Sequence, residues 1–516
     1  MDNTTYNISF SLQNKKTLIY IFFKLLLYIL FIKYIFFLPS NIMNIPELKD
    51  YNNQKLNILV PSKKCYYPYE TLYFNSKFRN TSLTKNITIK TINLNKYQKN
   101  YFVTYYINNY NYYIYFDLLE KHGLLRSHTN LGIHNLIIDV RFQTNFNIKS
   151  KINNINKNTK IYQYLNAYYL LKKDILYKNY YSMKKEFNED FNYMPETYYY
   201  PKDKKIINKK FNNYILNLDN LWLVKPTNKY GGKGISILHS LKDIEIKEYV
   251  ITKYIMNLDL IKNKKYDLRL YVLISGLKPL RIYLNKQGLV RIASEEYSLD
   301  INSIGNKYIH LTNTDINRKN KNYVYPNNFN DEKANIWNLN TYKKYLKQKN
   351  KDWNLIYIKI KDIIIKTIIS VQQKLVNKIT QFNLKDNNFY NLLGFDILIT
   401  KKFYPKLLEI NYSPCMNIYN KVDKSIKTNL FVDVLNIVGI YPFSKKTFKK
   451  YGKEYKFKNN IDESINNALC ELTRPRGDLE LIFPLKENVN KYKKYFNEIS
   501  EENAIFWNKL YNINQN

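Results

Sequence analysis

From about residue 160 onward, the pattern of apolar and polar positions predicts helices and strands that alternate along the chain. Residues 165–187 and 353–382 repeat apolar residues at helical spacing, which is typical of helices with one buried face. Shorter apolar runs, bounded by polar or turn-forming residues, predict strands. These runs span residues 221–224, 235–238, 248–257, 264–275, 280–298 and 392–417. The alternation predicts a mixed α/β (α+β) fold.

Two of the strand segments have the pattern of hairpins. Residues 392–417 contain two apolar runs around a polar turn, which predicts two paired strands. Residues 280–298 are interrupted by the polar stretch NKQG, so we expect a second hairpin with Arg281 and Arg291 on its two arms.

Before residue 160 the pattern is much less informative. Residues 46–160 are rich in Asn, Lys and Tyr, with short β-like stretches such as NYYIYF at 111–116. Residues 17–39 are mostly apolar but contain Lys24 and Lys33, so insertion into a membrane is favoured only narrowly. This segment fits a signal anchor, an uncleaved targeting helix, or a buried helix whose lysines reach water.

The chain is strongly basic, with 81 Lys and Arg against 42 Asp and Glu and a formal net charge of +39. A basic surface attracts polyanions, namely nucleic acid, anionic membrane or an acidic polypeptide. Heavy use of Lys, Asn, Ile and Tyr also fits a coding bias toward AT-rich codons, so charge alone selects none of these partners. The hydrophobic fraction of 45% excludes a disordered chain.

A glycine cluster lies between two strand-like runs. The chain has only 12 glycines, and three of them fall within four positions of the loop KPTNKYGGKG. Glycines such as Gly231 and Gly232 let backbone N–H groups approach an anion, and Lys225 and Lys233 could reach phosphate oxygens. A plain flexible hairpin would have the same local pattern. No G-K-S/T follows, so the loop is not a Walker A motif.

Two groups of polar residues occur inside apolar strands. Lys265, Asp267 and Arg269 alternate within KKYDLRLYVLIS, so their side chains share one face. Further on, a hairpin is expected to bring Asp396 to Glu409 and Asn411, which are two residues apart. Two carboxylates and an amide oxygen form a hard-oxygen site that suits Mg²⁺ together with nucleotide phosphates.

Taken together, these segments resemble the tubulin–tyrosine ligase-like family, whose members use an ATP-grasp fold with central antiparallel or mixed sheets and flanking helices. The resemblance covers about residues 160–445 in the family's order. The matching stretches are LWLVKPTNKYGGKGISI, ITKYI, KKYDLRLYVLIS, PLRIYLNKQGLVRIASEEYS, YIHLTNTDINRK, IKDIIIKTIIS and LLGFDILITKKFYPKLLEINYSP.

The resemblance implies an order of domains along the chain. We expect a candidate targeting or membrane-anchor segment, a poorly defined N-terminal region, the N-terminal part of a ligase domain, a central and a C-terminal ATP-grasp domain, and a C-terminal extension. Their expected bounds are 1–45, 46–160, 161–220, 221–310, 311–445 and 446–516.

The resemblance also implies a nucleotide site. Backbone and side chains around the glycine loop would hold the phosphates, and ITKYI would supply the adenine-binding hinge. Thr252 departs from the family, which usually has Gln there. The implied ATP-binding residues are Lys225, Gly231, Gly232, Lys233, Thr252, Lys253, Tyr254, Ile255, Lys265, Asp267, Thr312 and Asn313.

Metal and substrate roles follow from the same resemblance. Asp396, Glu409 and Asn411 would hold Mg²⁺. The carboxylates of the incoming amino acid would bind Arg291, Arg318 and Lys427, of which Arg318 replaces a commoner Lys. The acceptor carboxylate would meet Arg269 and Arg281. The implied catalytic residues are Arg269, Arg281 and Arg291.

The implied activity is an ATP-dependent carboxylate–amine ligase that adds an amino acid, glutamate for preference, to the acidic C-terminal tail of tubulin on microtubules. Tyrosine or glycine as the added residue, and a non-catalytic microtubule-binding member of the fold, stay open. A nucleic-acid binder is a remote alternative, and we expect no nucleic-acid partner. The expected location is cytoplasmic and cytoskeletal, with membrane anchoring through residues 17–39 as a further option.

Overall fold

The computed structural model describes twelve stretches of the chain, all within one compact unit, Asn53–Asn516. These are residues 55–60, 71–78, 88–93, 101–107, 113–127, 136–138, 159–229, 231–245, 247–411, 413–441, 443–444 and 460–512.

The expectation of membrane anchoring is corrected by this structure. No helix in the stretches just named is long and apolar enough to cross a membrane. Residues 17–39, on which that expectation depended, lie outside the described residues.

Strands carry most of the architecture. In chain order they are β1 (Lys55–Val60), β2 (Thr71–Leu72), β3 (Thr88–Asn93), β4 (Tyr101–Phe102), β5 (Thr104–Ile107), β6 (Leu125–Ser127), β7 (Leu136–Ile138), β8 (Lys160–Tyr162), β9 (Thr197–Tyr200), β10 (Trp222–Pro226), β11 (Ser236–Ile237), β12 (Tyr249–Lys253), β13 (Leu260–Ile261), β14 (Lys264–Leu277), β15 (Leu280–Ile292), β16 (Ile336–Asn338), β17 (Phe389–Ile399), β18 (Pro405–Asn411), β19 (Phe443–Ser444) and β20 (Leu479–Phe483).

Helices flank these strands. They are α1 (Tyr113–Lys121), α2 (Lys173–Phe187), α3 (Lys204–Phe211), α4 (Lys307–His310), α5 (Thr314–Asn317), α6 (Leu339–Gln348), α7 (Trp353–Gln381), α8 (Lys421–Val438), α9 (Asn460–Leu472), α10 (Val489–Tyr492) and α11 (Glu501–Asn512).

The core is a large mixed sheet built on one long hairpin. β14 and β15 pair antiparallel, β17 lies on the other side of β14, and β18 pairs with β17. Beyond β17 the sheet continues through parallel pairs of β8, β7, β5 and β6. Helix α7 packs on this sheet with Ile360, Ile364 and Ile368 fully buried. The mixed α/β fold predicted from the sequence is therefore confirmed.

A smaller antiparallel sheet carries the glycine loop. Its strand order is β11-β10-β12-β9, and the loop joins β10 to β11. Helix α3 covers one face, where Phe211 contacts Trp222 edge-on at 5.0 Å between ring centroids. The predicted strands LWLV, ISIL and EYVITKYIMN all belong to this sheet, so each was placed correctly.

The segment 280–298 is not a hairpin, and that prediction was wrong. β15 runs unbroken from Leu280 to Ile292 against β14, and the turn is Lys278–Pro279 instead. The NKQG stretch forms a bulge, because Leu270 pairs with Gly288 whereas Val272 pairs with Leu284. A bulge absorbs extra residues without reversing the strand.

The β-like stretch NYYIYF is also different from its expectation. Helix α1 begins at Tyr113, the third residue of this stretch, and its side chains Tyr115, Phe116 and Leu119 are buried. The spacing of these side chains is helical, and it extends into LLEK beyond the stretch that suggested a strand. A short apolar run alone does not separate the two structures.

The C-terminal segment 460–512 is part of the core. β20 pairs with β15, and Glu471 on α9 accepts hydrogen bonds from Arg281 Nε at 3.0 Å, Ser275 Oγ at 2.6 Å and Tyr283 Oη at 2.8 Å. Glu471 and Arg281 are 4% and 2% exposed. This buried ion pair ties α9 to the turn end of the central hairpin.

We predict that Glu471→Ala destabilises the protein by about 3–5 kcal/mol, because it leaves the Arg281 guanidinium buried without its counter-charge. Denaturant unfolding measures this. The matched control is Glu487→Ala, an exposed glutamate of the same segment, which should stay within about 0.5 kcal/mol of wild type. Equal effects for the two variants would contradict the structural role given to this pair.

Candidate functional site

A cleft lies between the small sheet and the central hairpin. It holds about 710 Å³ of space not filled by protein atoms, its open mouth included. Most of the residues predicted from the sequence line it together. They are Lys225, Thr252, Lys253, Tyr254, Ile255, Lys265, Asp267, Arg291, Thr312, Asn313, Asp396 and Glu409.

Other lining residues were not predicted from the sequence. The apolar wall includes Leu223 and Leu398, each two positions from a predicted polar residue, so strand alternation would have pointed to them. His310 also lines the cleft, within the quoted stretch YIHLTN. Lys173 at the start of α2 lies outside this lining and donates to the backbone oxygen of Lys229 at 3.1 Å. The remaining unpredicted residues are Pro195, Ile235, Leu311 and Leu408.

Asp396 is held between two arginines. Arg269 Nε and Nη2 donate to its two carboxylate oxygens at 2.5 and 3.0 Å, and Arg291 Nη2 lies 2.8 Å from Oδ2. Burial alone would raise the pKa of Asp396, but the two guanidinium groups outweigh burial and lower that pKa to about 2. Asp396 is therefore a fixed anion in the floor of the cleft.

Arg291 links this anion to the neighbouring strand. Its Nε and Nη2 donate to Asp267 at 2.7 and 2.5 Å, since Asp267 and Arg291 are direct partners across the β14–β15 pair. Thr312 Oγ1 donates to the same aspartate at 2.6 Å. The arginines predicted to bind substrate carboxylates thus already hold two carboxylates of the protein.

Glu409 lies opposite Asp396 in the β17–β18 register. Burial, and then repulsion by Asp396, raises the pKa of Glu409 in spite of nearby cations. Within the described part of the chain, no hydrogen bond or ion pair of its carboxylate is found. Its charge is therefore poorly compensated by the protein.

The donor set fits Mg²⁺ through oxygen ligands. Asp396 and Glu409 present adjacent carboxylates, and a divalent cation would neutralise the unpaired one. Asn411 lies beside Asp396, and its amide donates to Asp396 Oδ2 at 3.3 Å. Among the described residues, no group of three or more His, Cys, Asp or Glu side chains converges as a metal site. Two carboxylates would leave most coordination positions to water and phosphate oxygens.

Two lysines face the cleft in surroundings that disfavour their charge. Burial lowers the pKa of Lys225 to about 8, only partly offset by Glu409. Burial also lowers the pKa of Lys265 to about 7, only partly offset by Asp267. A bound polyanion would relieve both, because an opposite charge favours the protonated form.

The glycine loop packs at the edge of this cleft. Gly231 and Gly232 have positive φ values of 65° and 75°, which L side chains rarely adopt. A Cβ on Gly232 would lie 2.6 Å from Ile316 Cδ1 and 2.9 Å from Asn313 Oδ1. The loop therefore approaches the Asn313 segment closely. Lys233 is exposed and is not among the lining residues.

Arg318 and Lys427 meet beside Tyr419, outside the lining of the cleft. Arg318 Cζ lies 4.6 Å and Lys427 Nζ 5.7 Å from the ring centroid. Lys427 is buried and pairs with Asp423 at 3.0 Å. The structure thus brings these two predicted substrate residues together.

The structure does not bring Arg281 to the cleft. It pairs with Glu471 near the turn of the hairpin, nine or ten residues along the strands from Asp267 and Arg291. At the usual rise of a strand that separation is about 30 Å. We therefore assign Arg281 to the core and not to acceptor binding.

The sequence of this chain is similar to those of known proteins. The model of the tubulin-tyrosine ligase family matches residues 150–447. Human tubulin monoglutamylase TTLL4 is 32% identical over 287 residues, which is 55% of this chain and 24% of that protein. The tubulin polyglutamylase ttll-5 of Caenorhabditis elegans is 31% identical over 59% of this chain and 43% of its own length.

A third relative is similar over most of its own length. The probable alpha-tubulin polyglutamylase Ttll1 of Tetrahymena thermophila is 31% identical over 326 residues, 57% of this chain and 75% of that protein. The chain thus spans most of this relative, but less than half the length of the two named before it.

We predict that Glu409→Gln raises the melting temperature in metal-free buffer near neutral pH. The folded-state pKa of Glu409 is raised, so its ionised form opposes folding above that pKa, and the neutral amide removes this cost. The advantage should fade as the pH falls and Glu409 itself takes up a proton.

Magnesium should reverse the order of the melting temperatures of wild type and Glu409→Gln. About 10 mM MgCl₂ should raise the melting temperature of wild type by binding the folded state and leave Glu409→Gln nearly unchanged. Glu487→Gln, an exposed control, should respond like wild type. A lower melting temperature for Glu409→Gln in metal-free buffer would show that the carboxylate is satisfied by the protein.

Proposed function

Because the chain belongs to the tubulin-tyrosine ligase family, we propose that it is an ATP-dependent ligase that joins glutamate to carboxylates of the tubulin C-terminal tail. The observation that carries the proposal is the cleft itself. In it, burial disfavours the ionised forms of Lys225, Lys265 and the unpaired Glu409. These residues lie beside an Arg–Asp network whose charges balance. Glutamate is favoured over tyrosine or glycine because the relatives named above are glutamylases.

The nucleotide would lie against the small sheet. The hinge residues Thr252–Ile255 line the cleft beside the apolar side chains Leu223 and Leu398, which suit a flat base. Lys225 and Lys265 would contact the phosphates, with Thr312 and Asn313 at the opposite edge. Gly231 and Gly232 would bring the loop backbone over the phosphates, with Lys233 at its exposed tip.

Asp396 and Glu409 would hold Mg²⁺, with Asn411 beside them, and the ion would neutralise charge on the phosphates. In the reaction, a tail carboxylate attacks the γ-phosphate of ATP and forms an acyl phosphate with release of ADP. The amine of the free amino acid then attacks the acyl carbon, and inorganic phosphate leaves. The chain needs no nucleophile of its own, because positioning and charge compensation supply the catalysis.

Arg291 is the proposed contact for the incoming amino acid. Its Nε and Nη2 bond Asp267 and Asp396, and within the described residues no acceptor for Nη1 is found, so that donor is free for a carboxylate. Arg318 and Lys427 beside Tyr419 are proposed for the second carboxylate of glutamate. Arg269, bound to Asp396, is proposed to stabilise the acceptor side.

The basic balance of the chain fits an acidic partner. A net charge of +39 would attract a glutamate-rich peptide and speed its encounter with the cleft. Tubulin and microtubules are therefore the proposed partners.

We predict that the full chain, given ATP, Mg²⁺ and a tubulin tail peptide, adds glutamate but not glycine or tyrosine, as measured by mass spectrometry of the peptide. Arg291→Lys should lower kcat/KM for glutamate roughly 10- to 150-fold, because a charged hydrogen bond contributes about 1.5–3 kcal/mol. Arg476→Lys, on the C-terminal segment, is the control and should leave kcat/KM unchanged.

Three outcomes would overturn this assignment in different ways. Ligation of glycine or tyrosine alone would keep the ligase and replace the substrate. ATP binding without ligation of any amino acid would indicate a non-catalytic member of the family. Wild-type KM for glutamate in Arg291→Lys, with weaker ATP binding, would make Arg291 a phosphate contact.

We further predict that Gly232→Ala weakens ATP binding by about tenfold or more, because a Cβ displaces the loop from Asn313. Calorimetric titration with ATP measures it. Gly305→Ala is the matched control, since a Cβ there meets nothing within 4 Å. Early melting of Gly232→Ala with normal ATP affinity would mean that the loop is only a structural hairpin.

A further inference from the structure

A chain of three buried side chains runs from the wall of the cleft to Lys265. His310 Nδ1 lies 3.0 Å from Tyr254 Oη, and Lys265 Nζ donates to the same hydroxyl at 3.1 Å. His310 belongs to α4, Tyr254 to the segment after β12, and Lys265 to β14. His310 and Tyr254 are each 3% exposed, and Lys265 is 7% exposed. Water therefore competes little for these hydrogen bonds.

The direction of each hydrogen bond in this chain follows from its far end. His310 Nε2 lies 3.2 Å from the backbone oxygen of Ser303, which can only accept. Nε2 therefore carries the proton, and Nδ1 of the neutral ring must accept from the Tyr254 hydroxyl. The lone pairs of that hydroxyl are then turned toward Lys265, whose ammonium donates.

The surroundings keep the ring of His310 neutral. Burial, and then the charge of Lys265, lowers the pKa of His310 to about 4. Tyr297 packs edge-on against the same ring at 5.9 Å between centroids. A protonated ring would have no acceptor for Tyr254 and would repel Lys265, so the arrangement persists across the physiological range.

The charged groups that face Lys265 come from two elements. Asp267 on the same strand favours its cation, and Lys225 on β10 disfavours it. Tyr254 and His310 supply neutral contacts from the other side. The hydroxyl of Tyr254 is the direct hydrogen-bond acceptor found for the Lys265 ammonium among the described residues.

We propose that His310 is a positioning residue which, through the Tyr254 hydroxyl, holds the Lys265 ammonium charged and aimed at the phosphates of the nucleotide. This inference rests on the proposed function only in so far as Lys265 contacts ATP. It gives His310 a role that packing alone would not require, because packing needs the ring but not its Nδ1 acceptor.

The test is the pH dependence of ATP affinity, measured by calorimetry on the full chain with neither amino acid nor tail peptide present. Tyr254→Phe removes the acceptor of Lys265, so the pKa of Lys265 should fall further, by about one pH unit. Affinity relative to wild type should then be about tenfold weaker at pH 8 and within about twofold at pH 6. The ionisation of ATP itself cancels in this ratio.

Substitutions of His310 separate positioning from packing. His310→Asn keeps an acceptor near the position of Nδ1 and should retain the wild-type pH dependence of ATP affinity. His310→Leu removes that acceptor and should lose ATP affinity at pH 8, as Tyr254→Phe does. The double variant Tyr254→Phe/His310→Leu should match Tyr254→Phe alone, because both changes break one chain of hydrogen bonds. Leu258→Ala, a buried residue of the same segment, controls for general loosening and should give a ratio that does not vary with pH.

A pH-independent loss in Tyr254→Phe, or equal losses in His310→Asn and His310→Leu, would overturn the positioning role. If His310→Leu does not fold, Tyr254→Phe and His310→Asn still decide. If the variants show the predicted pH ratio but the wild-type protein ligates no amino acid, the inference about His310 is supported and the proposed function is overturned. Failure of wild type to bind ATP overturns both.

Discussion

The site depends on keeping Asp396 ionised where almost no water reaches it. Its side chain is 2% exposed, and the charge is sustained by Arg269 from the adjacent strand and Arg291 from the next one. Each of these arginines would in turn be a costly buried cation without its aspartates. The order β15-β14-β17 is therefore held by charge pairing across three strands as well as by apolar packing. A shift of one residue in either register would separate these partners.

Strand alternation pointed to two polar groups at the cleft, whereas the hinge residues Thr252–Ile255, together with Thr312 and Asn313, came only from the family resemblance. Lys265, Asp267 and Arg269 occupy alternate positions of one strand. In the structure Asp267 and Arg269 are joined through Arg291 and Asp396, whereas Lys265 donates to Tyr254. The pairing of Asp396 with Glu409 followed from the hairpin pattern around a polar turn. These features are local, because the period of a strand determines which side chains share a face.

What could not be predicted depends on partners distant in the chain. Arg281 and Arg291 lie on the same strand with similar neighbours. Arg291 pairs with Asp267 in the cleft, whereas Arg281 pairs with Glu471, 190 residues away in the chain. The NKQG bulge depends likewise on the strand opposite, which continues past it. His310 gains its role only from Tyr254 and Ser303 in the folded chain. The residue type determines which interactions a side chain can make, whereas its partners in the folded chain determine which of them it makes.

The charged groups of the cleft are unevenly compensated. Asp267 and Asp396 balance Arg269 and Arg291, which leaves Lys225, Lys265 and Glu409 as groups that their own surroundings disfavour. Relaxing these three by mutual pairing would stabilise the fold, but it would remove the reason for phosphates and a divalent cation to bind. In the proposed function, the desolvation that makes this region costly to fold would also favour the binding of charged reactants. The proposed nucleotide and metal binding would then share one physical origin with the local instability, namely the burial of these three ionisable groups.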